Sequence, residues 1–255
     1  MCLIAFALNP TPDWRLVLIA NRDEFHARPA APLAVWSDHP EVIAGRDIEA
    51  NGTWLGINTR GQLAAVTNVR LPEPPRAGLR SRGALALNYL AGADSPLQYL
   101  GSSAGKLIEY GPCNLLLMDA SQAIYASNQT DVPTQTLASG IYGLSNATLD
   151  TPWPKTTTLK QALADWLSRD RADSTDLFTA LANPATPPDS ALPDTGVGLA
   201  RERFVAPAFI RGREYGTRCS TVILVAADGS GVVTERRFGP DGVGLGETRI
   251  LFRWP

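Results

Sequence analysis

The sequence predicts an α+β protein built on antiparallel sheets, and three observations carry that expectation. Short apolar runs recur along the chain and are joined by turn signals such as Asn9 to Asp13, Thr59-Arg60-Gly61, Asp119-Ala120-Ser121 and Ala227-Asp228-Gly229-Ser230. Segments with helical spacing gather in two places, residues 83–101 and 156–182, instead of alternating with every strand. Hydrophobic residues make up 44% of the 255 positions and charged ones 19%, the balance of a globular chain with a substantial core.

The elements follow in order. Residues 2–8 and 15–20 read as paired strands, and Phe25 to Pro32 as a turn region, because Arg28-Pro29 disfavours helix. Thr53 to Asn58 and Gln62 to Asn68 form a hairpin in which Gly61 supplies the permissive position. Leu71 to Gly83 is a loop with Pro72, Pro74 and Pro75 followed by Arg76, Arg80 and Arg82. Helices are expected from Gly83 to Ala91 and near Pro96 to Gly101. Asn114 to Met118 and Ala123 to Ser127 make a second hairpin, and Ile141 to Ser145 a short strand ending at Asn146. Residues 156–169 give the clearest helix: Thr156 to Thr158 can cap it, and Leu159, Ala162, Leu163, Trp166 and Leu167 share a face. A further helix runs from Ser174 to Ala182, with Ser174 as candidate cap. Asn183 to Gly198 is a proline-rich surface loop or lid, and Phe204 to Ile210 a candidate strand. Cys219 to Ala226 with Gly231 to Phe238 is a strong hairpin, and Thr248 to Trp254 closes the chain as a strand.

No linker divides the sequence, so residues 1–255 read as one domain. The net charge of −2 argues against a nucleic-acid partner, which requires a basic footprint. Twenty arginines stand against three lysines, either as codon usage or for bidentate grip on anions. Cys2, Cys113 and Cys219 cannot all pair and form no Cys-x-x-Cys, which suits a reducing compartment. No basic region precedes Leu3 to Leu8, and no apolar run approaches the ~20 residues of a membrane span. The expectation is a cytoplasmic protein. His26 and His39 have no metal-ligand spacing, so no metal site and no resident cofactor are expected. A phosphate-binding Gly-x-x-x-x-Gly-Lys loop is absent from the sequence, and the six tryptophans read as core or pocket lining.

Chemistry concentrates at the start of the chain. Removal of Met1 would leave Cys2 with a thiol and an α-amine on one residue, the amine having an ordinary pKa of about 7.7–8.0. A nucleophile beside its own N-terminal amine is a known solution to acyl transfer, and the thiolate is the reactive form. The plain alternative is a small buried hydrophobe on the first strand. If the first two strands pair, Asn21-Arg22-Asp23-Glu24 returns close to Cys2.

Those residues also carry a resemblance. Asn21-Arg22-Asp23-Glu24 after a Met-Cys start is similar to the signature of the NRDE family, also called the transport and Golgi organisation protein 2 family. Gly45-Arg46-Asp47, Asn51-Gly52-Thr53-Trp54-Leu55-Gly56, Thr67-Asn68-Val69-Arg70, Leu144-Ser145-Asn146-Ala147, Pro152-Trp153-Pro154-Lys155 and Tyr215-Gly216-Thr217-Arg218 resemble the same family, in its order. The resemblance implies the four-layer αββα sandwich of N-terminal nucleophile (Ntn) hydrolases. It implies Cys2 as nucleophile, Asp23 orienting its amine and Arg22 lowering the thiol pKa, as in the choloylglycine-hydrolase and penicillin-V-acylase branch. In that branch the arginine and aspartate are three apart, so whether Asp23 or Glu24 faces Cys2 stays open. Asn146 matches the oxyanion donor and Arg218 a position beside the nucleophile, with Asn68 a second candidate donor. Asn21, Glu24, Asn68 and Arg70 are then substrate-side candidates. Arg70, Arg76, Arg80 and Arg82 would form a rim for an anionic group, or simply a solvated loop.

Two functions follow from the resemblance. One is a cysteine amidohydrolase or acyltransferase acting on a linear amide or thioester. The other is a carrier of haem or a fatty-acyl ligand, tied to haem trafficking and lipid homeostasis. Either takes a small acyl or anionic partner, and the sequence leaves the oligomeric state open.

Overall fold

The computed structural model describes residues 2–73, 78–131, 134–169 and 173–255, the side chains of residues 2 and 103–106 excepted. Pro74, Pro75 and Arg76 of the expected loop lie outside the described residues. In chain order the first strands are β1 (Cys2–Thr11), β2 (Trp14–Phe25), β3 (Ala30–Val35), β4 (Val42–Asp47), β5 (Leu55–Asn58) and β6 (Leu63–Asn68). They are followed by β7 (Cys113–Met118), β8 (Ala123–Ser127), β9 (Thr134–Leu137), β10 (Gly140–Leu144), β11 (Tyr215–Ala226), β12 (Ser230–Phe238) and β13 (Gly244–Arg253). The α-helices are α1 (Gly83–Ala91), α2 (Pro96–Ser103), α3 (Pro154–Leu167), α4 (Thr175–Leu181) and α5 (Leu199–Val205). The chain falls into two compact units, each built on one antiparallel sheet.

The first unit comprises residues 1–27, 70–72 and 139–252. Its six strands lie in the order β10-β1-β2-β11-β12-β13. Alternation on β1 and β2 sends Leu3, Ala5, Ala7, Val17 and Ile19 to one face. There they pack with Val222 and Leu224 of β11 against Leu159, Leu163 and Trp166 of α3 and Leu177, Phe178 and Leu181 of α4. The helical face read from the sequence is therefore the one that meets the sheet. The caps differ from expectation: α3 starts at Pro154, with Trp153 at its N-cap and no side-chain cap bond. Proline at a first helical position loses nothing, since its missing N–H would have had no partner there. Ser174 flanks α4 without a side-chain cap bond.

Two expectations for this unit need correction. The polar quartet does not follow the second strand but belongs to it, since β2 runs to Phe25 and pairs with β1 on one side and β11 on the other. Phe204 to Ile210 is not a strand. Phe204 and Val205 end α5, whose Glu202 is buried in an ion pair, and the chain then continues without regular structure.

The second unit comprises residues 28–69, 73–138 and 253–255. Seven strands follow the chain, β3-β4-β5-β6-β7-β8-β9, as a meander. Both expected hairpins are present, as β5/β6 and β7/β8. Leu85, Tyr89 and Leu90 of α1 and Leu100 of α2 close one face over Val66, Leu115, Leu117 and Ile124. Strands β3, β4 and β9 were not anticipated. Pro32 interrupts β3, and the register between β3 and β4 shifts between Ala31 and Ala34, so simple alternation fails there.

Candidate active site

Strand register brings the start of β1 against one of the sequence-predicted site residues. Cys2 is the register partner of Arg22 in the β1–β2 pair. On the other side β1 pairs with β10, from Leu8 opposite Gly140 to Ile4 opposite Leu144. Past Leu144 the chain bends, and Asn146 stands two residues beyond the end of β10. Beyond Arg22 lies β11, where Asp23 pairs with Thr217 but Arg22 pairs with Cys219. Arg218 is thus the extra residue of a β-bulge, a device that re-aims a side chain at a sheet edge or a functional site.

The quartet divides by face. The Nδ2 of Asn21 donates to the carbonyls of Leu181 (2.8 Å) and Ala208 (2.7 Å), and Ser220 Oγ donates to its Oδ1 (2.6 Å). Asn21 therefore ties the end of α4 and the 206–210 segment to the sheet. Asp23 is buried and accepts from Thr217 Oγ1 at 2.7 Å, while Tyr215 donates its hydroxyl to the Asp23 carbonyl. Burial pushes the Asp23 carboxyl above its ordinary value, against the opposing pull of Lys155 and the Thr217 bond. Arg22 is buried as well. Glu24 is half-buried and accepts from the backbone N–H of Phe25 at 2.8 Å.

The remaining predicted residues sit in distinct settings. Arg218 donates to the carbonyls of Phe25 (2.8 Å) and His26 (3.3 Å). Its guanidinium is held below the usual arginine range by partial burial and by the neighbouring Arg22 charge. Asn146 is buried, and its carbonyl accepts the backbone N–H of Arg70 at 2.8 Å. Arg70 is not at a solvated rim: its Nη1 meets Glu202 at 2.5 Å with both side chains buried, and its guanidinium faces the Trp153 ring at 4.7 Å. Glu202 also accepts from the N–H and hydroxyl of Thr195, which pins the proline-rich loop. Asn68 ends β6 in the second unit, opposite Cys113. Arg80 and Arg82 are in that unit too, bonded to Glu109 and to the Pro112 carbonyl.

Sequence reasoning passed over four residues of the first-unit cluster: Lys155, Glu202, Tyr215 and Thr217. Two of them lie in Tyr215-Gly216-Thr217-Arg218, where only the arginine was given a role. Gly216 is required there, because a Cβ would lie 2.7 Å from the Ile210 carbonyl. Lys155 is buried and donates to the Val205 carbonyl at 2.9 Å. An aromatic strip adjoins Arg218, with the ring of Tyr215 5.1 Å from Phe25 and 6.2 Å from Phe204. Phe25 and Phe204 are exposed, so the strip offers apolar surface beside Arg218. Among cysteines with described side chains, Cys113 is buried and its thiol is pushed up to about 11, the behaviour of a packing residue and not a nucleophile. Among the described residues no cluster of three or more His, Cys, Asp or Glu could hold a metal ion. No helix among them is long and apolar enough to cross a membrane.

Comparison with known proteins now decides the family. Residues 1–240 match the family described as Transport and Golgi organisation 2. The chain belongs to this family. It is 39% identical to the Bos taurus Transport and Golgi organization protein 2 homolog, over 92% of each chain. It is 36% identical to the Homo sapiens homolog, over 98% of this chain and 97% of the other. Among solved structures it resembles the C2A mutant of conjugated bile acid hydrolase from Clostridium perfringens, with a TM-score of 0.51, 10% identity, and 98% and 92% of the two chains covered. That likeness shows the fold: this member of the Transport and Golgi organisation 2 family has the α+β fold of Ntn hydrolases, with two antiparallel sheets.

Proposed function

We propose that the protein is an Ntn-type cysteine amidohydrolase or acyltransferase acting on a linear amide or thioester, with Cys2 as nucleophile once Met1 has been removed. The observation that carries this reading is the strand register, in which residue 2 of β1 is the partner of Arg22 on β2, with Asn146 two residues past the end of β10, the other neighbour of β1. The C2A name of the solved neighbour adds that a cysteine stands second in that hydrolase also.

In this reading the Cys2 α-amine takes the thiol proton and the thiolate attacks the substrate carbonyl. Arg22 and Arg218 supply the positive field that favours thiolate, and Asn146 donates to the oxyanion. The amine returns its proton to the leaving group, and water or an acceptor amine resolves the acyl-enzyme. Asp23, fixed by Thr217, orients the amine. Arg70 positions Asn146 through its backbone bond. The exposed Phe25 and Phe204 beside Arg218 suit an acyl chain carrying a nearby anionic group.

Intact-mass measurement comes first, since the tethered base exists only if Met1 is absent. A panel of amides and acyl thioesters then compares wild type with Cys2→Ala. The expected result is turnover abolished with the far-UV spectrum unchanged, and turnover that survives in Cys2→Ala sinks the reading. Asn146→Ala should lower kcat by about 10²–10³, the usual effect of losing one oxyanion donor.

One observation favours a second reading, a non-covalent carrier of an apolar anion. A cavity of about 710 Å³ opens between α3, the end of α4 and the Asn183–Pro187 segment, with Leu159, Ala162 and Pro184 in its wall and Lys155 as its cation. Stoichiometric binding of a fatty acid or haem that is indifferent to Cys2→Ala but weakened by Lys155→Ala would favour the carrier.

A further inference from the structure

The six-stranded sheet ends on β13, which is ten residues long, contains no proline and, among the described residues, has a strand neighbour on one side only. A long strand of this kind leaves a row of backbone donors and acceptors available to another chain, which natural edges usually blunt with proline, lysine or shortness. The two faces of β13 differ. Thr248, Ile250 and Phe252 are half-buried, and the Phe252 ring lies over Gly231 of β12. Glu247, Arg249 and Leu251 alternate onto the other face and are exposed, Leu251 at 69%, and Leu245, exposed at 56%, stands before Gly246, whose φ is 120°.

The order of those four side chains is self-complementary. Directly opposed residues of an antiparallel pair share a face, so a strand can pair with its own copy only about a single residue. Centred on Thr248, the alignment sets Leu245 opposite Leu251 and Glu247 opposite Arg249, twice each. Centred on residue 247 or 249, it opposes two glutamates or two arginines. Centred on residue 250, it sets Arg249 against Leu251. Only the Thr248 register joins like with like for the apolar pair and opposite signs for the charges. The Glu247 carboxylate already meets Arg236 of its own chain at 2.7 Å, and a carboxylate has acceptor sites for a second arginine.

We propose that β13 is a homodimer interface, where two copies of this chain join edge to edge with Thr248 on the two-fold axis. The contact is isologous and closed, because each copy uses up the same edge. Two six-stranded sheets become one of twelve strands. The partner is chosen by charge complementarity along the strand, and no ligand or catalytic step is involved.

Sedimentation velocity over a hundredfold concentration range around ~10 µM reads the assembly directly. The expected wild-type species is a dimer. Glu247→Arg and Arg249→Glu each place like charges opposite one another and should raise the dimer Kd by about tenfold or more. The double variant E247R/R249E exchanges the partners and restores the opposite-sign pairs across the interface, so it should recover the dimer. A general disturbance of the strand would not be reversed in this way. Circular dichroism checks the fold, and if Glu247→Arg unfolds the chain through its clash with Arg236, Arg249→Glu and Leu251→Asp decide the matter. The proposal falls if wild type is monomeric throughout the range, if assembly proceeds past the dimer, if no β13 variant shifts it, or if the double variant fails to restore it.

Discussion

At the scale of single residues, the burial of charge is the main physical fact of the site. Asp23 sits where burial outweighs the pull of Lys155 and of the Thr217 hydroxyl, so its folded pKa lies above the ordinary 3.8. A carboxyl raised on folding binds its proton more tightly in the folded state. Its contribution to stability is full below pH 3.8 and is lost as pH rises through the raised value. Wild type should therefore lose ground against Asp23→Asn, which does not titrate, as pH climbs from about 4 towards neutrality. Urea midpoints for the two proteins over that range test this, and a gap that is flat or widens in favour of wild type contradicts it. The Arg70–Glu202 pair gives a second residue-scale test. Removing one partner leaves a buried charge unmatched, so Arg70→Ala or Glu202→Ala should cost about 3–5 kcal/mol. Arg70→Met with Glu202→Leu should recover most of that loss. If the single changes cost under ~1 kcal/mol in urea unfolding, the pair is not the internal tie described here. Arg70 was legible as a charge but not as a buried one, because its partner stands 132 positions away in the sequence.

At the scale of elements, one conspicuous motif serves close packing. In Asn51-Gly52-Thr53-Trp54-Leu55-Gly56 it is the backbone of Asn51 and the two glycines that the packing requires. Asn51 adopts a left-handed φ of 52°, and a Cβ on Gly52 would lie 2.5 Å from the backbone of Gly83 at the start of α1. The Thr53 N–H donates to the Gly83 carbonyl across the same contact. A Cβ on Gly56 would meet Ala44 at 2.8 Å and Leu90 at 2.9 Å. Gly52→Ala should thus push α1 from β5 and destabilise the protein by about 1–3 kcal/mol. A change within ~0.5 kcal/mol in denaturant unfolding would mean that the backbone yields freely there. The same scale explains what the sequence could and could not reveal. The β5/β6, β7/β8 and β11/β12 hairpins were legible because Gly61, Asp119 and Gly229 mark their turns. The polar half of β2 was not, since Asn21 to Glu24 read as a strand end until their partners on β11 and at Leu181 and Ala208 are known. The bulge that isolates Arg218 has no sequence signal, because it is a mismatch of register between two strands.

At the scale of the whole molecule, the two sheets differ in how far apart in sequence their partners lie. The second unit is a meander whose neighbours follow one another along the chain, with the 69–112 excursion between β6 and β7 as the longest step. The first unit is assembled from both ends of the chain. Its central strand β2 pairs with β11, with Asn21 opposite Ser220, and β1 pairs with β10, with Ile4 opposite Leu144. The candidate site inherits that arrangement: residue 2 and Arg22 come from the first hairpin, Asn146 from the middle, and Thr217 and Arg218 from the last quarter. Loop-closure entropy must be met before such contacts form, and sheets dominated by distant pairings fold slowly for that reason. A chain ending at residue 212 loses β11, β12 and β13, half of the six-stranded sheet, and with them the inner partner of β2 and the Ser220 bond to Asn21. Leu177, Phe178 and Leu181 would still have β1 and β2 to pack on, but not Val222 and Leu224. We expect the 1–212 fragment to show no cooperative unfolding of β1 and β2, with their amides exchanging freely, while β5 to β8 retain protection. Hydrogen exchange read segment by segment distinguishes the outcomes. Protection of Leu3 to Ala7 in the fragment would mean that the β1–β2–β10 pairings suffice to build the Cys2 end of the candidate site, and that β11 only adds Thr217 and Arg218 to a scaffold already formed.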